Sequence, residues 1–569
     1  MTPLRTRRRT LASLAALAAV PMLPARIRGA GAAAPPRELC ANGTSFERPL
    51  AMPGRDGFMG YYDVGEGFAV RAAAVAGGPM PLGYVIDEHG RQWRNPVLVV
   101  PRGTAMRVTL DNAIDAPTIV HWHGLTVDSR NDGNGFRLAA PGAKFDYAFP
   151  VANRAGTYWY HPHPHGLTAG QAHRGLFGVM LVDDAEDRAL AAALGTTRGD
   201  TDLVLALCDR RSDARDRYAP ARDDLVSGYL GDEMLVNGTS RPYLDVGTRG
   251  YRLRIVNAAN ARTFRLAFRG DDGAVLPFTL LGTDGGLLAR PLACREVFVA
   301  SAERIDVWID FAGRALGDSV VMESLAFDPM HGERHGGHSA PAPAGAATPA
   351  PADGAAAMTH GAHAMPGPAT ADQEAMAHGS HAMPMTAPDA LPAALGDGVR
   401  LSLLQFRVRR RTPASPPPPT TLSSLPSPPA TDGDAVPFRL SFAKDRWRIN
   451  DQVFDMAAEP LVVPRNTVQT WLFRNYYTSM PHPMHLHGFG FRVIAREQSP
   501  DFLAPLATDD KGRLPTDLGV KDTVLVWPGE SVRVAIDFAC TFPGPQDYLL
   551  HCHNLEHEDG GMMMKVRVA

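Results

Sequence analysis

Long apolar runs are missing from this chain. Past the N-terminus no stretch of 18 apolar residues occurs, which excludes a membrane-spanning helix by length and predicts a soluble protein. A basic excess is missing too. There are 57 Lys and Arg against 60 Asp and Glu, a balance that argues against nucleic acid as a partner. Cysteine is sparse, with Cys40, Cys208, Cys294, Cys540 and Cys552 the full set. Histidine is nearly absent where chance would scatter it. Of 20, only His89, His165 and His173 fall outside one low-complexity segment and four short motifs. What remains is ample for several domains, with 569 residues and 45% hydrophobic composition.

The first 34 residues read as a signal peptide and not as fold. Arg5, Arg7, Arg8 and Arg9 precede a short apolar run from Leu11 to Leu23, and small residues follow, with cleavage expected near Ala32 to Ala34. The TRRRTL run is similar to a twin-arginine export signal, which carries folded proteins to the bacterial periplasm; an ordinary secretory signal is the alternative. Cleavage removes six Arg and no acid, leaving 51 basic against 60 acidic residues and a formal charge of −9.

The chain is organised around HCHNLEHEDGGM, from His551 to Met562. Cys552, His557 and Met562, with one more His from elsewhere, suit a mononuclear copper site of the trigonal His₂Cys kind with a weak axial Met. If HCH lies on a strand, side chains alternate. Cys552 then faces one way, and His551 and His553 the other. One tripeptide could serve one copper in front and further coppers behind, with a covalent path between them.

Three other motifs complete the set: HWH at His121 and His123, HPH at His161 and His163, and HPMHLH at His482, His485 and His487. Assigning His482 and His557 to the mononuclear centre leaves eight His in four His-X-His pairs. Eight imidazoles can hold three coppers as three, three and two. The pairs follow an internal repeat. LVVPR at Leu98 precedes HWHG, and LVVPR at Leu461 precedes HLHG at nearly the same spacing. A middle copy, Leu244 to Phe268, keeps the strand pattern without the His.

The chain is therefore read as all-β, three domains of one ancestry, each a Greek-key sandwich or barrel. They run over residues 35–185, 186–408 and 436–569, and the middle one is expected to be a spacer. A Pro-rich linker spans 409–435. Residues 330–385 carry seven His and six Met among Ala, Gly and Pro, a composition that cannot bury a core and predicts a disordered insertion late in the second domain. Thioether and imidazole suit cuprous ion, so copper capture is the favoured reading of the insertion and a passive linker the other. With Cys552 given to metal, four cysteines remain, which allow three pairings or none.

HWHG, HPH, HPMHLHG and HCHxxxHxxxxM, in this order, closely resemble the four copper signatures of the three-domain multicopper oxidases, over the whole mature chain. The resemblance implies three cupredoxin-like Greek-key domains and four coppers. Type 1 takes His482, Cys552, His557 and Met562; type 2 takes His121 and His485. One type 3 copper takes His123, His161 and His553, the other His163, His487 and His551. It also implies one-electron oxidation of a reductant at type 1, transfer through Cys552, and reduction of O₂ to water at the trinuclear cluster. Asp132 and Glu558 resemble acids that relay protons there; solvated loop acids are the alternative. The protein is expected to act as a monomer.

Within the family, INDQVFDM, TLSSLP, HEDGGMM and the Met-rich segment resemble periplasmic cuprous oxidases of copper tolerance. Met480 matches a Met that binds substrate copper there, or is a core residue. Two departures stand. The insertion sits in the second domain, not the third, and Thr478 stands where that group has an Asp. The expected reductant is Cu(I), with phenolic or bilirubin-like substrates as the alternative and a copper-scavenging protein as a reading of another class.

Overall fold

The computed structural model describes residues 40–53, 58–65, 67–77, 80–212, 217–331, 395–430 and 434–569. The signal expected over 1–34 and nearly all of the segment 330–385 lie outside the described residues. The described chain is all-β, and its six sheets stack in three pairs.

The first sandwich joins a five-stranded sheet holding Val97–Pro101, Gly178–Asp183, Gly156–Pro162 and Val120–His123 to a second built around Ala105–Asn112. Its logic is the period-2 alternation of a half-buried strand. Along Ala105–Asn112, Met106, Val108 and Leu110 point into the core while Ala105 and Arg107 face water. The middle sandwich pairs a seven-stranded with a six-stranded sheet over a core that includes Leu253, Ile255, Phe268, Trp308 and Phe406. The third pairs two five-stranded sheets, one holding His482–Leu486 and Gln546–Cys552.

The repeat has a structural counterpart. Val97–Pro101 runs parallel to Gly178–Asp183 in the first sandwich, and Leu461–Val463 runs parallel to Met563–Val568 in the third. In the middle sandwich Ser319–Ser324 pairs antiparallel with Leu401–Arg410, so the chain between them leaves and re-enters one sheet. All five cysteines are buried and unpaired.

Registry does the positioning. Val120–His123 lies antiparallel to Gly156–Pro162 with His121 opposite His161. His482–Leu486 lies antiparallel to Gln546–Cys552 with His485 opposite His551 and Met484 opposite Cys552. Alternation then sorts the faces. Trp122 and Met484 go to their own cores, and Cys552 joins the third core, while the histidines turn toward the seam between first and third sandwiches.

Candidate metal centres

Four residues expected to form one centre converge at the end of Gln546–Cys552. The Cys552 Sγ lies 3.5 Å from His482 Nδ1 and 3.5 Å from His557 Nδ1. Two ligands of one first-row ion sit roughly 3.5 Å apart, given metal–N and metal–S bonds of about 2.0–2.3 Å. The loop closes on itself to bring up Met562. Its carbonyl accepts from the Cys552 amide at 3.1 Å, its amide donates to the His557 carbonyl at 2.8 Å, and its side chain is buried. Asn554 caps the short helix Leu555–Asp559, accepting from the His557 amide, which fixes where His557 leaves the chain. Burial raises the Cys552 thiol above its ordinary range, so a thiolate there needs a cation beside it.

Behind Cys552 lie eight more histidines, none more than 1% exposed. They form three groups. His161 Nε2 stands 3.2 Å from His123 Nδ1 and 3.4 Å from His553 Nε2. His551 Nε2 stands 3.0 Å from His487 Nε2 and 3.4 Å from His163 Nε2. His121 and His485 make up the third, and the Nε2 of each is buried with no partner. A buried polar atom without a partner costs free energy. Two of them, on residues whose other nitrogens are tethered, are what a missing cation would satisfy. The donor set fits copper: imidazole, thiolate and thioether, with no hard oxygen cage.

The second nitrogen of nearly every imidazole is held, which orients the ring and sets the tautomer a metal ligand needs. His121 Nδ1 meets the Asp132 carbonyl at 2.7 Å and His485 Nδ1 the Asp522 carbonyl at 2.8 Å. His161 and His551 each use a neighbouring backbone carbonyl. His487 Nδ1 meets Asp132 Oδ2 at 2.8 Å. Burial lowers all ten imidazoles below their usual range, His161 to about 4 and His551 and His557 to about 3. They are neutral, as metal binding requires.

Asp132 and Glu558 are not solvated loop acids; both are completely buried. Glu558 lies against one group, 3.5 Å from His163 Nε2 and 3.3 Å from His551 Nδ1. Burial raises both carboxyls well above the usual range, with Asp128 adding to Asp132 and Asp559 to Glu558. Met480 is half-buried and packs at the rim of the third core, its carbonyl accepting from Asn475 at 2.8 Å.

The middle sandwich is more than a spacer. Arg304 donates to Asp522 at 2.7 and 2.5 Å, to the Thr157 carbonyl of the first sandwich and to the Asp284 carbonyl of its own. Asp522 Oδ1 in turn lies 3.1 Å from His123 Nε2. Ser301 Oγ is 3.4 Å from His553 Nδ1, and the Val226 carbonyl accepts from His557 Nε2 at 2.9 Å. Sequence reasoning missed all four residues. Asp522 alone leaves a trace: Lys521 and Asp522 interrupt an otherwise apolar strand entry.

Family models described as multicopper oxidase match residues 88–187 and 426–569. The chain is similar to the bilirubin oxidase of Albifimbria verrucaria, 29% identical over 473 residues that cover 82% of this chain and 70% of that protein. It is similar to a laccase of Haloferax volcanii, 29% identical over 476 residues, 79% of this chain and 66% of that one. The solved structure of the McoA multicopper oxidase from Aquifex aeolicus aligns with a TM-score of 0.72 at 28% identity, over 92% of this chain and 100% of that chain.

Proposed function

The chain belongs to the multicopper oxidases, and from that premise we propose that it couples four one-electron oxidations of Cu(I) to the reduction of one O₂, with four protons, to two waters. Copper is the family's cofactor, and bound copper supplies the one-electron steps and the oxygen chemistry. In this reading the type 1 ion takes His482, Cys552, His557 and Met562, and the type 2 ion takes His121 and His485. The type 3 pair takes His123, His161 and His553, and His163, His487 and His551.

The observation that carries the reading is the joining of the two ligand sets by one tripeptide. Cys552 belongs to the front group, and His551 and His553 belong to the two groups behind it. An electron entering at the Cys552 sulfur has a covalent path to either side of the cluster. Asp132 and Glu558 hold protons next to His487 and His551, where reduction of O₂ consumes them. The buried seam excludes water and keeps the ring geometry fixed, so little reorganisation is needed.

Cu(I) as donor is supported by the His and Met of residues 330–385 and by thioether softness. The oxidation would take place in the periplasm, after export of the folded protein, in the service of copper detoxification. Phenolic or bilirubin-like donors are the second reading, favoured by Thr478 in place of an Asp and by the names of the two relatives. Oxygen uptake by the copper-loaded protein tests the choice, with Cu(I) and a simple phenol given in turn. Fast uptake with Cu(I) and slow uptake with the phenol supports the proposal. The reverse makes the protein a laccase-type oxidase. No uptake with either, despite an intact blue absorption band, sinks both and leaves a copper scavenger.

A further inference from the structure

The seam between the first and third sandwiches also carries a pocket that no motif announces. It encloses about 330 Å³. Ser129, Arg130, Phe136 and Arg137 of the first sandwich line it together with Asp547 and Lys565 of the third. The two sandwiches are clasped beside it. Ser129 N donates to Gln546 Oε1 at 2.9 Å, Asn134 Nδ2 to the Asp547 carbonyl at 2.9 Å, and Tyr548 Oη to the Val127 carbonyl at 2.7 Å. These bonds fix the separation of the walls.

The walls hold three cations and no unengaged acid. Among the described residues the Arg130 and Arg137 side chains make no hydrogen bond and no ion pair, and both are exposed. Lys565 Nζ donates to the Met456 carbonyl at 2.9 Å and to the Ala458 carbonyl at 3.4 Å, and it stands 5.7 Å from the Phe136 ring. Carbonyls and a ring position an ammonium without cancelling its charge. Asp547 is engaged by Arg567 through both oxygens, at 2.7 and 2.8 Å. Asp128 lies outside the walls and accepts from the Arg130 amide and the Asn131 side chain. The Ser129 hydroxyl has no partner among the described residues. In a chain with 60 acidic against 57 basic residues, an even scatter of charge does not leave three uncompensated cations around one concavity.

The cations select the ligand chemistry. A guanidinium presents a planar fork that matches carboxylate or phosphate oxygens, and an ammonium adds a point charge. Two forks and an ammonium match an oxyanion with at least two charges and leave a monovalent ion underbound. The Phe136 ring already faces the Lys565 ammonium, so it offers little stacking surface to an aromatic ligand. The volume lies at the small end for a ligand site and takes such an ion with part of its water.

We propose that this pocket binds a compact oxyanion of two or more charges, a phosphate or a dicarboxylate, and that the bound ion ties the first sandwich to the third. The site is complete only when the sandwiches are joined, because Arg130 and Arg137 come from one and Lys565 from the other. Binding therefore favours the joined state by linkage. No bond or electron moves in this step, and it stands whether or not the oxidase reading holds.

The test titrates the copper-loaded full chain with inorganic phosphate and with succinate in a calorimeter. Ionic strength is held constant with sodium chloride, and sodium acetate is the monovalent control. The expected result is binding of one ion per chain, weakened about tenfold or more in each of Arg130→Gln, Arg137→Gln and Lys565→Gln, the worth of one charge-assisted hydrogen bond. Lys565→Arg keeps the charge and should keep the binding. The blue band and oxygen uptake should stay as in wild type, which shows that each variant folds, since none of the three side chains touches a metal group. The thermal unfolding midpoint should rise with ion concentration in wild type and stay flat in Lys565→Gln. Binding of phosphate alone or of succinate alone supports the site and says which oxyanion it takes. Binding of neither, acetate bound as tightly as succinate, or affinity unaltered in all three Gln variants overturns the site. Weakening by the two arginine variants alone overturns the tie between sandwiches.

Discussion

At the scale of single residues, the chemistry depends on side chains that never touch a metal. Asp522 receives Arg304 on both oxygens and aligns His123 with one of them. Asp522→Asn keeps the shape, loses the charge and loosens that ring. Copper affinity of the cluster is expected to fall about 10–100-fold, the usual cost of losing a partner behind a ligand. A competitive chelator titration measures it, with the blue band unchanged because His482, Cys552 and His557 are untouched. His173 gives a separate handle. It is buried against Tyr218 and Tyr229 and binds in none of the groups, and burial lowers its imidazole from 6.5 to about 4. Because the folded value is depressed, its contribution is complete above pH 6.5 and is lost as pH falls through about 4. Copper-free wild type is expected to lose about 3 kcal/mol more than copper-free His173→Phe between pH 7 and pH 4. Urea unfolding of both proteins across that range checks the difference.

At the scale of elements, strand alternation explains what could be read from the sequence alone. His-X-His on a strand puts both rings on one face, so four such motifs in the sequence mark four pairs of rings, each pair sharing a face. The Cys between His551 and His553 had to face the other way for the same reason. The anchors were not legible, because a backbone carbonyl has no sequence signature. Val226 lies 331 positions from His557, and Arg304 lies 218 from Asp522. Reading the middle repeat as a spacer followed from counting histidines, which registers ligands and overlooks the guanidinium, hydroxyl and carbonyl that hold them. The turn after HWHG shows how strictly an element end is fixed. Gly133 has φ +74°, and a Cβ there would sit 1.9 Å from the Val120 carbonyl oxygen. Gly133→Ala must shift backbone at the point where the Asp132 carbonyl receives His121. It is expected to cost more than about 2 kcal/mol and to lose the type 2 electron paramagnetic resonance signal while the blue band persists.

At the scale of the whole molecule, one guanidinium ties the three sandwiches together. Arg304 contacts Thr157 in the first, Asp284 in its own and Asp522 in the third. Lys521 adds a second crossing, 2.8 Å from Asp284 and 2.9 Å from Glu303. Removing one partner of a buried ion pair costs about 3–5 kcal/mol, because the other charge is left buried. Arg304→Met should therefore lower the stability of the copper-free protein by that order. Its calorimetric unfolding should split where wild type gives one transition, since the sandwiches lose their common tie while keeping their own cores.

The eight histidines at the seam come half from the first sandwich and half from the third, and none is more than 1% exposed. If an ion reaches rings this buried only when the two sandwiches part, the seam acts as a turnstile whose rate belongs to the protein. Uptake into the cluster should rise with copper concentration at first and then level off at the rate of parting. Whatever speeds that parting speeds maturation, and whatever locks the sandwiches together beforehand leaves an enzyme that is folded, stable and empty.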